Sequence, residues 1–346
     1  MGQVVTFEAP KEVVIREYEE SPLREREVRL CTLYSGISAG TELTAYRGSN
    51  PYLTKRWQPE QRLFVEDEVT LEYPVEGWGY EEVGEVAGVG AGVTRVAAGN
   101  AVYGTWGHRS STVVDEDWAA ARVLPPGLDP MIGVFSRIGA IALNAVLDAN
   151  IHVGEYVAVF GQGVPGLIAA QLARLNGGTV IAVDGIPRRL ELAEELGAAH
   201  VINFNKKSPA EEIKNLTEGR GADVSIEISG SYPALHEAIR STAYNSEIVS
   251  AGFFQGAGAG LALGEEFHHN RIRIVCSQIS GLSPSLDHRW SVERLERTVM
   301  ALAAEGRISL EPLVTHTFGV EEAGEAFRLL DQGPAPGDVV QAVIRF

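Results

Sequence analysis

Cysteine is almost absent from this chain. Two residues, Cys31 and Cys276, stand among 346. Two thiols exclude a disulfide framework and any zinc site built from three or four cysteines. They read as free thiols in a reducing compartment. Basic residues are also scarce, with 29 Lys and Arg against 46 Asp and Glu, a net charge of −17. That deficit argues against nucleic acid or a membrane surface as the main partner, since both recruit clustered positive charge. No run of 18 apolar residues occurs, so no membrane-spanning helix is expected. The opening MGQVVTFEAPKEVV carries Glu and Lys and lacks an apolar core segment, so it does not read as a signal peptide. The expectation is a cytoplasmic protein.

Glycine, by contrast, is abundant. The chain has 38 in 346, about 11%, where roughly 7% is usual. Tight turns and close backbone approaches should be frequent. At about 150 residues per domain, the length suggests two domains.

The first 125 residues read as β-rich. Val4-Phe7, Val13-Glu17 and Val28-Tyr34 are short alternating or β-branched runs, and glycines punctuate residues 77–107. That pattern fits a small barrel with tight corners. Residues 49–73 are polar, aromatic and aperiodic, which reads as a surface loop or as a lid over a cleft. From about residue 126 strand and helix patterns alternate, the signature of βαβ units and a parallel sheet. Tyr156-Phe160, Thr179-Val183, Val201-Phe204, Asp223-Ile228, Glu247-Gly252 and Arg271-Ile279 are the expected strands. Helices are expected over 166–175, 187–196, 209–217 and 233–243. After residue 285 come a helix at 290–304, a strand at 314–318, a helix at 321–330 and a last strand, Asp338-Phe346.

Gly161-Gln162-Gly163-Val164-Pro165-Gly166 fits the G-x-G-x-x-G spacing, after an expected strand and at the start of an expected helix. The first glycine allows the turn, the second lets backbone approach a pyrophosphate, and the third lets helix and strand pack closely. The helix N-terminus then offers N–H groups and partial positive charge to phosphate. Asp184 closes the next strand, 18 residues after Gly166. An acid there would hold the ribose hydroxyls of NAD and repel the 2′-phosphate of NADP. Arg188 and Arg189 lie just beyond and could offset that repulsion. NAD is the expected cofactor, with NADP as the alternative. Ser229-Gly230 and Ala251-Gly252-Phe253 follow two later strands, at the sheet end where such sheets bind ligands, and are expected to lie against the nicotinamide.

These features together resemble the medium-chain dehydrogenase/reductase superfamily over essentially the whole chain. The segments Gly36-Glu42 (GISAGTE), Gly77-Gly88 and Gly154-Gly166 carry the likeness. It implies an α/β chain, with a Rossmann doubly wound parallel sheet over 126–284 inserted into a GroES-like β-barrel catalytic domain, 1–125 and 285–346. The chain is also similar to a bacteriochlorophyllide dehydrogenase-like branch. That likeness lies in SGIS-x-GTE, in Gly79-Tyr80 where Gly-His is usual, and in Gly252-Gly256 followed by Glu265-Ile272.

Zinc members of that superfamily bind the catalytic metal through a Cys, a His from a His-Glu pair, and a later Cys or Glu. The corresponding positions here are Ser38, Tyr80 followed by Glu81, and Arg137. Ser, Tyr and Arg do not build a tetrahedral zinc site. The four-cysteine structural lobe is also missing, so no metal is expected. Arg137 could supply the positive charge that stabilises the substrate oxygen. Its alternative role is a buried ion pair with Glu81. Tyr80 could act as general acid or base if a nearby cation lowers its pKa from about 10. Thr41 and Glu42, read as part of a loop, could bond substrate hydroxyls. His108 is a further candidate for substrate contact. His268 and His269, on an extended segment, read as structural.

The expected activity is zinc-independent hydride transfer between NAD(P) and a secondary alcohol or ketone, on a polar or sugar-like small molecule. The alternatives are NAD(P)H-dependent reduction of an activated carbon–carbon double bond, and non-catalytic dinucleotide binding. The Arg271-Ile279 strand reads as a sheet edge, from which a homodimer or homotetramer is expected.

Overall fold

Continuous apolar runs such as Tyr156-Val-Ala-Val-Phe160 can be buried on both faces only inside a covered parallel sheet. The computed structural model, which describes residues 1–66, 68–332 and 339–346, places them in one. Its six strands are β1 (Tyr156–Phe160), β2 (Thr179–Asp184), β3 (His200–Asn203), β4 (Ala222–Glu227), β5 (Thr242–Ser250) and β6 (Arg273–Cys276). They lie in the order β3-β2-β1-β4-β5-β6, every pair parallel. Helix α1 (Val164–Leu175) joins β1 to β2, and helices Pro187–Glu195, Pro209–Leu216 and Tyr232–Ser241 make later crossovers. Phe160, Ile181, Ile202, Ile213, Leu235 and Ile248 share one buried cluster. Strand order reverses between β1 and β4. In doubly wound sheets that reversal is where a ligand crevice opens, outside the carboxyl ends of the strands.

The edge strand β6 is shorter than expected, four residues rather than nine. Arg271 adopts φ +54°, which breaks the extended run before it begins.

The other unit is largely antiparallel. Gly2–Ala9 pairs with Glu12–Tyr18 and with Val75–Glu76. A second sheet runs Val314–Gly319, Gln341–Arg345, Glu27–Gly36, Glu82–Val89 and Ala101–Gly104, with Ser111–Asp115 also pairing Glu27–Gly36. Phe7, Tyr46 and Phe327 knit its core, with Phe7 and Phe327 edge to face at 4.9 Å. Gly107 has φ +77°, and a Cβ there would sit 1.9 Å from the Gly77 oxygen, so this corner requires glycine.

The compact units are Met1–Arg137 with Val314–Phe346, and Ile138–Leu313. The boundaries expected at 125/126 and 284/285 therefore move. Residues 126–137 join the antiparallel unit because Gly133 packs on Val83 and Tyr103. Residues 285–313 join the parallel unit because helix Val292–Ala304 buries Val299 directly against Gly139. Three further expectations change. Residues 49–73 contain a short hairpin, Arg56–Gln58 with Leu63–Val65, where Phe64 packs 5.0 Å from Trp57 and 5.6 Å from Tyr52. His268 and His269 sit in a helical turn, not an extended segment. The helical stretch Pro130–Asp148 is long and apolar enough to cross a bilayer by composition, but 72% of it is buried inside the protein. The start expected for the last strand, Asp338, lies outside the described residues.

Candidate active site

The glycine turn between β1 and α1 is shaped by two contacts that admit no side chain. Gly161 has φ +96°, and a Cβ there would come 2.7 Å from the Ser229 Cβ. A Cβ on Gly166 would stand 1.8 Å from the Gly161 oxygen. Gly163, the N-cap of α1, differs, since its Cβ would meet nothing nearer than Arg189 Nη1 at 3.9 Å. Space is thus left at the position where backbone would approach a pyrophosphate. Val164 and Pro165 form the first turn, where N–H groups have no partner within the helix.

Asp184 ends β2 with only 6% of its surface exposed. One carboxylate oxygen accepts the Gln162 N–H at 2.6 Å, and the other accepts the Ile186 N–H at 2.9 Å. The acid therefore ties the glycine turn to the end of β2. Gly230, at φ +70°, and Gly252 press backbone on backbone. Their Cβ positions would fall 2.6 Å from the Phe253 oxygen and 2.1 Å from the Gly230 nitrogen. Ser229-Gly230 and Ala251-Gly252-Phe253 are thereby brought together. The sequence reading passed over Glu227, which ends β4 beneath both turns.

A second polar cluster lies in the antiparallel unit. Ser38 is the N-cap of helix Ala39–Arg47, so Thr41 and Glu42 lie on a first helical turn rather than in a loop. The signal was legible: Glu42 reaches back to accept the Ser38 N–H at 2.8 Å, and Gly48 closes the helix at φ +77°. The Tyr80 hydroxyl bonds the Ser38 hydroxyl and, at 3.3 Å, the Thr41 hydroxyl. Glu42 is fully buried, and its second oxygen meets His108 Nε2 at 2.6 Å. With no exposed surface and both oxygens bonded, Glu42 ties Ser38 to His108. His108 is equally buried, with Nδ1 2.6 Å from the Ser35 hydroxyl, and that hydroxyl donates to Glu82 at 3.1 Å. His108 is bonded on both ring nitrogens within this cluster. Arg137 stands in the first turn of helix Phe135–Asp148, half-buried.

Ionisable groups in this cluster are crowded and buried. Glu81 is fully buried, and neither carboxyl oxygen has a hydrogen-bond partner. Burial, then the charges of Glu42 and Glu82, push its carboxyl well above the usual range. Burial likewise raises Glu82. For His108, burial disfavours the imidazolium, but Glu42 and Glu82 outweigh it and the net shift is upward. The cation expected to lower the Tyr80 pKa does not do so; burial, then Glu81, raises it. The phenol is therefore neutral and a donor.

A carboxyl group raised in the folded state contributes stability below its unfolded pKa and loses it as pH rises through the folded value. Glu81→Gln should therefore raise the melting temperature at pH 8 and leave it nearly unchanged at pH 5. The gain should be about 2–4 °C per kcal/mol recovered. Thermal scans at the two pH values check this, and a variant less stable at pH 8 would refute it.

Residues 165–297 match the zinc-binding dehydrogenase family. The D-guloside 3-dehydrogenase of Shigella flexneri is 32% identical over 335 residues, covering 94% of this chain and 95% of that protein. This chain belongs to the medium-chain dehydrogenase/reductase superfamily. A sorbitol dehydrogenase of Halalkalibacterium halodurans is 26% identical over 93% of each chain. A zinc-binding dehydrogenase of Sinorhizobium meliloti 1021, solved bound to NADP, shares the fold at a TM-score of 0.79. It is 21% identical, covering 100% of this chain and 99% of that one. The chain is accordingly an NAD(P)-dependent alcohol oxidoreductase. Ser38, Tyr80 and Glu81 provide one carboxyl group, its pKa raised by burial and by Glu42 and Glu82, and neither thiolate nor imidazole. Among the described residues no group of three His, Cys, Asp or Glu could hold a metal. These residues do not fit tetrahedral zinc.

Proposed function

We propose that this dehydrogenase works without a resident zinc ion, interconverting a secondary alcohol and its ketone on a polyhydroxylated, sugar-like substrate. The observation that carries this reading is the Tyr80 hydroxyl, bonded by Ser38 and Thr41 at the position where the family resemblance implies a metal ligand. A neutral phenol there donates to the substrate oxygen and stabilises the charge that develops on it. Ser38 and Thr41 hold the phenol and offer further hydroxyls to a polar substrate. Arg137 is assigned as an electrostatic aid to the same oxygen. Glu81 and Glu42 shape the cluster from beneath. When bound, the nicotinamide accepts or gives the hydride.

NAD is the preferred cofactor in this reading, because Asp184 places a carboxylate at the end of β2. Arg189, close to Gly163, is the group that would favour NADP instead. Relatives named for D-guloside and sorbitol support the substrate class. The exposed edge strand β6, bordered by β5 alone, supports pairing with a second copy into a homodimer or homotetramer.

Chelation tests the central claim. Protein dialysed against EDTA and 1,10-phenanthroline, with metal content verified by mass spectrometry, should keep its turnover of sugar-derived ketones with NADH. It should not reduce an enone. Activity that disappears on chelation and returns with added zinc would overturn the proposal.

A further inference from the structure

The carboxyl end of β4 carries a buried acid, Glu227, with no part in the chemistry so far described. One side-chain oxygen accepts the Ser229 N–H at 2.9 Å and also the Ser229 hydroxyl. The other accepts the Gly230 N–H at 3.2 Å. Its main-chain oxygen accepts the N–H groups of Ala251 at 2.8 Å and Gly252 at 3.1 Å. One residue thus fastens two turns, 229–231 by its side chain and 251–252 by its backbone. A Cβ on Gly252 would lie 2.8 Å from this carboxyl group, so the fit is close.

The adjoining strand ends and turns supply no countercharge. Glu227 pairs across the sheet with Phe160 and Ser250. Residues 156–163, 228–231 and 250–253, the segments around it, contain no charged side chain. Burial pushes the carboxyl group up to about 7, against the pull of its bonds from Ser229, Gly230 and Ser231. Its ionisation therefore changes near neutral pH. Protonation turns one acceptor into a donor, and the 229–231 turn loses a partner.

We propose that Glu227 is a positioning residue for the dinucleotide, its carboxylate holding the 229–231 turn against the 251–253 turn in the shape that the nicotinamide end requires. The inference rests on the reading of Gly161–Gly166 as a dinucleotide turn. It adds a pH-dependent cofactor affinity that no feature of the glycine motif itself requires.

Fluorescence titration of the full chain with NADH between pH 6 and 8.5 tests it. Wild type should bind about tenfold more weakly at pH 6 than at pH 8, as expected for one group near 7 needed in its ionised form. Glu227→Gln should bind about tenfold more weakly at pH 8 and lose the slope, because an amide cannot accept from all three donors. Ser229→Ala, which leaves the carboxyl group in place, should move the midpoint to higher pH, and it serves if Glu227→Gln does not fold. A flat wild-type profile, or a Glu227→Gln profile equal to wild type, would overturn the proposal. Wild type that binds neither NADH nor NADPH at any pH would instead refute the dinucleotide reading, and this proposal with it.

Discussion

Replacing Tyr80 by Phe should lower kcat for ketone reduction by about 10²–10³-fold and leave the Kd for NADH within about twofold. The ring is retained, so packing is little disturbed, and only the hydroxyl is lost. That hydroxyl is where Ser38 and Thr41 converge. Burial and the adjacent Glu81 keep it protonated, so it acts as a donor through the neutral range. Reduction by wild type should accordingly show no titration of Tyr80 between pH 6 and 8. Steady-state kinetics beside an NADH titration separate the two effects. Unchanged turnover in Tyr80→Phe would remove the residue from the mechanism. Equal losses of turnover and NADH binding would show that the variant is misfolded rather than deprived of its acid.

Two alanine substitutions in the glycine turn should behave in opposite ways. Gly166→Ala forces a Cβ toward the Gly161 oxygen, at 1.8 Å in the present backbone. Main chain must move, so the melting temperature should fall by several degrees and NADH binding weaken by about 100-fold or more. At Gly163 the new Cβ meets no protein atom closer than 3.9 Å. Stability should stay within about 0.5 kcal/mol of wild type, while NADH binding still weakens by about tenfold. The second result would show that open space is kept at Gly163 for a ligand rather than for the fold. NADH binding unaffected in Gly163→Ala would count against the pyrophosphate reading.

The parallel sheet was readable because its strands are short, apolar and separated by helical periodicity. The G-x-G-x-x-G turn added a constraint that spacing alone can express. Helix Ala39–Arg47 was harder, since it carries only nine residues with Gly and Thr in its first turn. Its start signal is a single bond from the Ser38 N–H to Glu42, one position later than the usual box and without the return bond from the Ser38 side chain. The partners of Glu42 and His108 were beyond reach, because those residues are 66 apart in sequence and meet only through tertiary packing. Burial decides their roles: an exposed Glu42 would offer a ligand for substrate hydroxyls, whereas a buried one braces the residues that do. Glu227 gave no sequence signal beyond its place at a strand end. The unit boundaries shifted because helix Val292–Ala304 is assigned by what it packs against, which its own pattern does not name.

The antiparallel unit is assembled from two distant stretches, and Gln341–Arg345 pairs with the end of Glu27–Gly36. Gln341 also donates to the main-chain oxygen of Ile37 at 3.1 Å, one residue before Ser38. On the ribosome, then, every residue of the nucleotide-binding unit is synthesised before the sheet beside the Ser38–Tyr80 cluster can be completed. A nascent chain arrested at residue 330 would already contain every residue of the cofactor unit and still lack the strand that bonds Ile37 beside Ser38.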